Sequence, residues 1–95
     1  MLLLSRFIIK GHSMEPTLLN GAIVLCSSIP YFFVSPRVGD IVIVKDNETE
    51  KIIIKRVEKK EGERYFLIGD NIKDSLDSKK LGWFERKDII GKVIF

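Results

Sequence analysis

The chain has 95 residues, of which 45% are hydrophobic and 31% are charged, and its formal net charge at pH 7 is +3. This length and composition exclude an intrinsically disordered chain, and we predict one small domain over residues 1–95. Lysines and arginines alternate with acids, as in KRVEKKEGER at 55–64, instead of forming a basic stripe. Nucleic acid is therefore not expected as a partner.

The N-terminal run MLLLSRFII is apolar but short. A membrane-spanning helix needs ~20 apolar residues, and the run lacks the positive start and small-residue cleavage site of a secretory signal. We interpret it as leading into a first β-strand. Contact with lipid stays open, because the chain has several large apolar side chains here and further along: Leu2, Leu3, Leu4, Tyr31, Phe32 and Phe33.

Short runs rich in Ile, Val, Phe and Tyr then follow one another, each bounded by turn-forming residues. No segment keeps a helical apolar period over three turns, so short helical turns are predicted only in SMEPTLL at 13–19 and ERKDI at 85–89. The sequence therefore predicts an all-β domain. Its predicted strands are RFIIK, AIVLCS, DIVIVKD, KIIIKRVE, RYFLIG and GKVIF.

Ser13 stands in the segment GHSMEPTL at 11–18, directly after the first predicted strand. A serine there can cap a helix, satisfy a turn or act as a nucleophile, and the local sequence leaves these alternatives open. Neighbouring side chains of an extended chain point to opposite faces. His12, the only histidine, is therefore expected to be badly placed as the base for Ser13.

Lys55 lies inside the predicted strand KIIIKRVE, where alternation puts it on the same face as Ile53. One interpretation is a lysine that extends to solvent along its apolar stem. The other is a lysine held in apolar surroundings, where the pKa of the ammonium falls and the amine can act as a general base toward a serine.

A polar loop runs from Asp70 to Gly82 between two predicted strands, and loops of this length are often functional. Its acids loosely suggest calcium, but the glycine and distal Glu of an EF-hand loop are missing. Cys26, the only cysteine, cannot form an internal disulfide and has no zinc-ligand neighbours. No metal or other cofactor is expected.

Taken in order, GHSMEPTL, VGDIVIV, IIIKRV and GDNIKDSLDS resemble the sequence boxes of the signal peptidase I family, which are serine–lysine endopeptidases. The resemblance extends from Phe7 to Phe95. It implies a compact, partly open antiparallel β fold, shared with the SOS-response repressor proteases. It assigns the nucleophile to Ser13, the general base to Lys55, a lysine-orienting hydroxyl to Ser75, and loop ion pairs to Arg56, Asp70 and Asp77.

The resemblance also implies substrates and surroundings. The substrates would be precursor polypeptides with signal or leader peptides, cut after small residues. The protein would be membrane-associated, with a membrane surface or a membrane-anchored partner and an active site outside the cytoplasm. A soluble cytoplasmic location stays open, because the N-terminal run is too short for a transmembrane helix.

Three alternatives accompany this interpretation. The chain could be a dedicated maturation protease for one precursor, similar to the enzymes that process nickel superoxide dismutase. A self-cleaving regulator would need a DNA-binding segment and a cleavage site ahead of Ser13, and we expect no room for them. A catalytically silent binding module of the same fold would be expected to lack Ser13 or Lys55, and both are present.

Overall fold

A computed structural model describes residues 3–47, 49–71 and 83–95 of the chain. The apolar runs form strands because β-branched and aromatic side chains fit a pleated, half-buried surface. The strands are β1 (Ser5–Ile8), β2 (Ile23–Ser27), β3 (Ile41–Lys45), β4 (Ile52–Glu61), β5 (Arg64–Ile68), β6 (Phe84–Glu85) and β7 (Ile89–Val93).

These strands form one sheet in the order β1-β2-β7-β3-β4-β5-β6, and every neighbouring pair is antiparallel. The sheet curls into a half-barrel whose outer strands, β1 and β6, do not pair with each other in the described part of the chain. The prediction of a partly open antiparallel β fold is confirmed.

The middle of the sheet is buried on both faces. Val42 and Val44 of β3 pack into a cluster with Val57, Tyr65, Leu67 and Phe84, whereas Ile43 packs on the opposite face with Ile9, Val24 and Cys26. All three β3 side chains are fully buried. Burial on both faces explains why β3 reads as an unbroken apolar run instead of alternating with polar residues.

β7 lies between β2 and β3 and joins the two parts of the sheet. A Cβ added to Gly91 of β7 would lie 2.8 Å from the backbone oxygen of Ser27, which is shorter than such contacts allow. Glycine therefore permits β7 to approach the end of β2 closely.

The helical turns differ from the prediction in two places, residues 13–19 and residues 29–32. A 3₁₀ turn over Arg86–Asp88 lies within the predicted ERKDI segment and is closed by a reciprocal capping box between Glu85 and Asp88. The SMEPTLL segment instead forms a hydrogen-bonded turn, and the other 3₁₀ turn is Ile29–Phe32. Pro30 favours that turn, because proline fixes a helical φ at the first positions.

Tyr31, which the sequence analysis grouped with the large apolar side chains open to lipid, is buried. Its hydroxyl donates a 2.7 Å hydrogen bond to Asp40 Oδ2, and the Arg86 guanidinium lies over its ring. Burial first, and then the hydrogen bond with Asp40, raise the pKa of the Tyr31 hydroxyl above its ordinary value. Tyr31 therefore anchors the first 3₁₀ turn to the core.

Candidate active site

Ser13 lies in the irregular turn that follows β1. Gly11 has a φ of 92°, a backbone conformation that favours glycine, and its N–H donates a 2.8 Å hydrogen bond to Asn20 Oδ1. Met14 is almost fully buried, and the Leu18 N–H donates to its carbonyl oxygen at 2.8 Å. The buried Met14 side chain thus fixes the turn and leaves Ser13 half-buried at its surface.

Lys55 is only 4% exposed, although it carries an amine. Lys55 pairs across the sheet with Val42, and Ile53 of the same strand pairs with Val44. Lys55 therefore lies on the face of the sheet where Val42 and Val44 pack with Val57 and Tyr65. The interpretation of a lysine that extends to solvent is therefore wrong. The Lys55 side chain is therefore enclosed by the protein instead of extending into water.

Ser13 and Lys55 line the same cleft, which has a volume of about 550 Å³. One wall is the segment 7–14, which continues from β1 through the serine turn, and the other is the segment 51–55 at the start of β4. Asp46 and Thr49, from the connection between β3 and β4, complete the lining. The fold thus brings together two residues that are 42 positions apart (55 − 13).

The serine turn and the lysine strand are tied together by the residues that follow β5. Asp70 accepts hydrogen bonds from Arg56 Nε and Nη2, both at 2.7 Å, and another from the hydroxyl of Thr17. The Asn71 N–H donates to the Ser13 carbonyl oxygen at 2.8 Å, and its amide nitrogen donates to the His12 carbonyl oxygen at 3.1 Å. We call Asp70 and Asn71, with these contacts, the Asp70–Asn71 clasp.

The ion pair between Arg56 and Asp70 shifts the pKa of both side chains. The hydrogen bonds from Arg56 are the main cause that lowers the pKa of Asp70, and the hydrogen bond from Thr17 adds to the effect. The same ion pair raises the pKa of the Arg56 guanidinium. Arg56 also donates from Nη1 to the Gly39 carbonyl oxygen at 2.8 Å, which fixes the plane of the guanidinium.

The backbone around His12 is not extended, in contrast to the expectation. Residues 11–18 form bends and turns. The imidazole Nδ1 lies 2.8 Å from Glu15 Oε2, three residues along the same turn. The hydrogen bond with His12 is the main cause that lowers the pKa of the Glu15 carboxyl. His12 also lines the cleft.

Three polar residues that were not predicted as site residues form hydrogen bonds around the serine turn: Thr17, Asn20 and Asn71. Their signal in the sequence is weak, because polar residues are ordinary in turns. Only the partner across the fold gives each side chain a specific role: Asp70 for Thr17, Gly11 for Asn20, and the serine turn for Asn71.

Two predicted site residues, Ser75 and Asp77, lie outside the described residues, as does most of the acid-rich loop considered for calcium. Elsewhere, in the ranges that the structure describes, no three His, Cys, Asp or Glu side chains form a group that could hold a metal. Nor do those ranges contain a helix with the length and apolarity needed to cross a bilayer.

Comparison with known proteins gives one family. The family model described as signal peptidase, peptidase S26, matches residues 1–64 and 58–95. Mitochondrial inner membrane protease subunit 1 is 31% identical over 96 residues in Xenopus tropicalis and 31% identical over 107 residues in Homo sapiens. These alignments cover 79% and 90% of this chain but 58% and 64% of the relatives. Signal peptidase I P of Bacillus subtilis subsp. natto is 24% identical over 137 residues, which cover 94% of this chain and 74% of that protein.

We predict that Asp70→Asn destabilises the protein by about 1–2 kcal/mol near neutral pH, because it removes a charged partner from a partly exposed arginine. The pKa of Asp70 is lower in the folded chain than in the unfolded chain. The ion pair therefore stabilises fully above the unfolded pKa of ~3.9, and this contribution is lost as pH falls through the lower folded pKa.

Urea unfolding followed by circular dichroism measures the effect. The difference in free energy of unfolding between wild type and Asp70→Asn should shrink as the pH falls below about 4. Glu58→Gln, at an exposed position of β4, is the matched control and should leave stability nearly unchanged. Equal urea midpoints for wild type and Asp70→Asn near neutral pH would contradict the importance of the clasp.

Proposed function

The chain belongs to the signal peptidase family, peptidase S26, and on that basis we propose that it is a serine endopeptidase that removes signal or leader peptides from precursor proteins. The relatives named as inner membrane protease and signal peptidase support a peptide-cleaving activity. The single observation that carries the proposal is the shared cleft, which is lined by Ser13, on an anchored turn, and by Lys55, a buried lysine.

In the proposed reaction, Ser13 Oγ attacks the scissile carbonyl carbon and Lys55 Nζ accepts the hydroxyl proton. The acyl-enzyme then forms as the protonated lysine returns its proton to the leaving amine, and a water molecule repeats the sequence to release the product. Burial of Lys55 supports this role, since a base must be neutral before it can take a proton. Removal of a general base typically costs 10²–10⁴-fold in rate.

The oxyanion of the tetrahedral intermediate is proposed to accept a hydrogen bond from the Ser13 N–H. Gly11 has no side-chain donor, and its own N–H is bonded to Asn20. The oxyanion site therefore depends on backbone groups, and the clasp supports it because Asn71 holds the peptide groups of His12 and Ser13. By resemblance to the family, Ser75 orients Lys55 and Asp77 joins the ion pairs around Arg56.

We predict that Ser13→Ala and Lys55→Met each reduce peptide cleavage by about a hundredfold or more, because each removes one half of the proposed dyad. Methionine fills the space of the lysine stem without a base. Cleavage of a quenched fluorescent leader peptide gives the rates, and circular dichroism verifies the fold.

Lys87→Met is the control for Lys55→Met, because Lys87 is exposed and lies beside Glu85, outside the cleft. It should cleave like wild type. If a folded Lys55→Met protein cleaved at the wild-type rate, Lys55 would not be the base, and His12 would be the next residue to replace.

The cleft also supports a preference for small residues next to the bond that is cut. Its walls near Lys55 are formed by Ile52, Ile53 and Ile54, and an extended peptide can bind there through main-chain hydrogen bonds without large side-chain pockets. The family resemblance implies small residues at the first and third positions before the cut.

We therefore predict that peptides with Ala at both positions are cleaved and that Phe or Leu directly before the cut stops the reaction. Changing the middle residue should have little effect, because its side chain points away from the walls. Mass spectrometry of the products from a matched peptide series locates the cut. Equal cleavage after Ala and after Phe would contradict the proposed specificity.

A membrane surface is the proposed location of the substrate. Leu3, Leu4, Phe32 and Phe33 are each about 60% exposed or more. The Ser27 hydroxyl links the two segments that carry them, since it donates to the Leu3 carbonyl oxygen at 2.6 Å and accepts from the Ile29 N–H at 3.1 Å. Large apolar side chains displayed together favour insertion into the boundary between lipid headgroups and acyl chains.

We predict that the protein sediments with phospholipid vesicles and that Phe32→Ser/Phe33→Ser reduces the bound fraction at least severalfold, because apolar area drives such binding. Val38→Ser, which changes an exposed apolar side chain on another turn, should bind like wild type. If wild type neither sediments with vesicles nor cleaves vesicle-anchored precursors faster than free peptides, the alternative of a maturation protease that acts away from membranes is favoured.

A further inference from the structure

The cleft carries an excess of positive charge. Two lysines outside the proposed dyad line it, Lys10 on the wall that continues from β1 and Lys51 at the start of the β4 wall. Among the described residues that line the cleft, the acid is Asp46, which is 8% exposed and accepts a 3.0 Å hydrogen bond from the Thr49 hydroxyl. A concave surface with this balance of charges concentrates anions.

Lys10 and Lys51 differ in their surroundings from Lys59, Lys60, Lys87 and Lys92. Lys87 lies 3.8 Å from Glu85, Lys92 lies 3.5 Å from Asp40, and Lys59 and Lys60 lie over aromatic rings. Lys10 and Lys51 are exposed, and among the described residues neither takes part in an ion pair. Among the described residues, their ammonium groups therefore have no ion-pair partner to lose before they bind an anionic group.

Their positions relative to the proposed dyad set which part of a substrate they reach. Lys10 precedes Ser13 by three residues, at most ~11 Å along the chain. Lys51 precedes Lys55 by four residues, which is ~13 Å along a strand. An extended peptide bound between the walls has the same rise per residue. An extended substrate between these walls would place residues about three to five positions from the cut within reach of both lysine side chains.

We propose that Lys10 and Lys51 form a subsite for an acidic side chain of the substrate, located about three to five residues from the bond that is cut. This proposal rests on the proposed function. It narrows the substrate class to precursors that combine small residues at the cut with an Asp or Glu nearby. The apolar walls bind the peptide backbone and small side chains, and the two lysines supply charge selectivity.

The test measures binding apart from catalysis, so its failure is distinguishable from failure of the proposed function. Ser13→Ala protein is titrated with fluorescent peptides that have Ala at the first and third positions before the cut. A single Glu, Gln or Lys is placed at each position from two to six residues away, on either side. Fluorescence anisotropy at low and high salt gives the dissociation constants.

The expected result is that the Glu peptide binds about five- to tenfold more tightly than the Lys peptide at one or more positions in the proposed window, and that salt weakens this preference. Lys10→Glu/Lys51→Glu should abolish or reverse it. Lys59→Glu/Lys87→Glu makes the same change in net charge outside the cleft and should retain it.

Equal binding of Glu and Lys peptides throughout the scan would overturn the subsite. So would a preference that persists in Lys10→Glu/Lys51→Glu, or one that Lys59→Glu/Lys87→Glu also removes. Absence of measurable binding by every peptide would overturn it as well. Loss of cleavage in Ser13→Ala together with any of these outcomes would leave the peptidase proposal in place and remove only the acidic subsite.

Discussion

The ion pair between Arg56 and Asp70 is the interaction on which the geometry of the site depends. Arg56 follows Lys55 directly in β4, and Asp70 also bonds Thr17 in the serine turn, so one carboxylate links the strand that carries Lys55 to the turn that carries Ser13. With Asp70 fixed, Asn71 is in place to hold the backbone of His12 and Ser13. A bidentate arginine–carboxylate pair suits this task because it fixes direction as well as distance.

Burial of Lys55 opposes folding, since removing an ammonium from water is costly. Lys55 pairs with the fully buried Val42 of β3 and is followed two residues later in β4 by Val57, which is almost fully buried. The clasp lies beside this costly residue and stabilises the same strand.

Much of the fold follows from the sequence because the strand signals are strong. The unbroken run in β3 and the alternation that puts Lys55 on the face of Ile53 both have a direct physical cause in burial.

β6 was not predicted, because its two residues are too few to show any period. Tyr31 was expected to be available to lipid, but its hydroxyl donates a hydrogen bond to Asp40. Asp40 is nine residues away in the sequence, and no sequence pattern predicts this contact. The shape of the serine turn likewise depends on contacts with Asn20 and Asn71.

The place of β7 between β2 and β3 has a consequence for how the site comes into being. Ser13 follows β1 on one side of that strand, and Lys55 lies in β4 on the other. While the chain is being synthesised, β1–β2 and β3–β5 have no direct pairing with each other, because their junction is made by residues 89–93. Pairing of such distant segments is slow compared with local contacts. In the described part of the chain, the strands next to Ser13 and the strand that carries Lys55 therefore become parts of one hydrogen-bonded sheet only when β7 has been made.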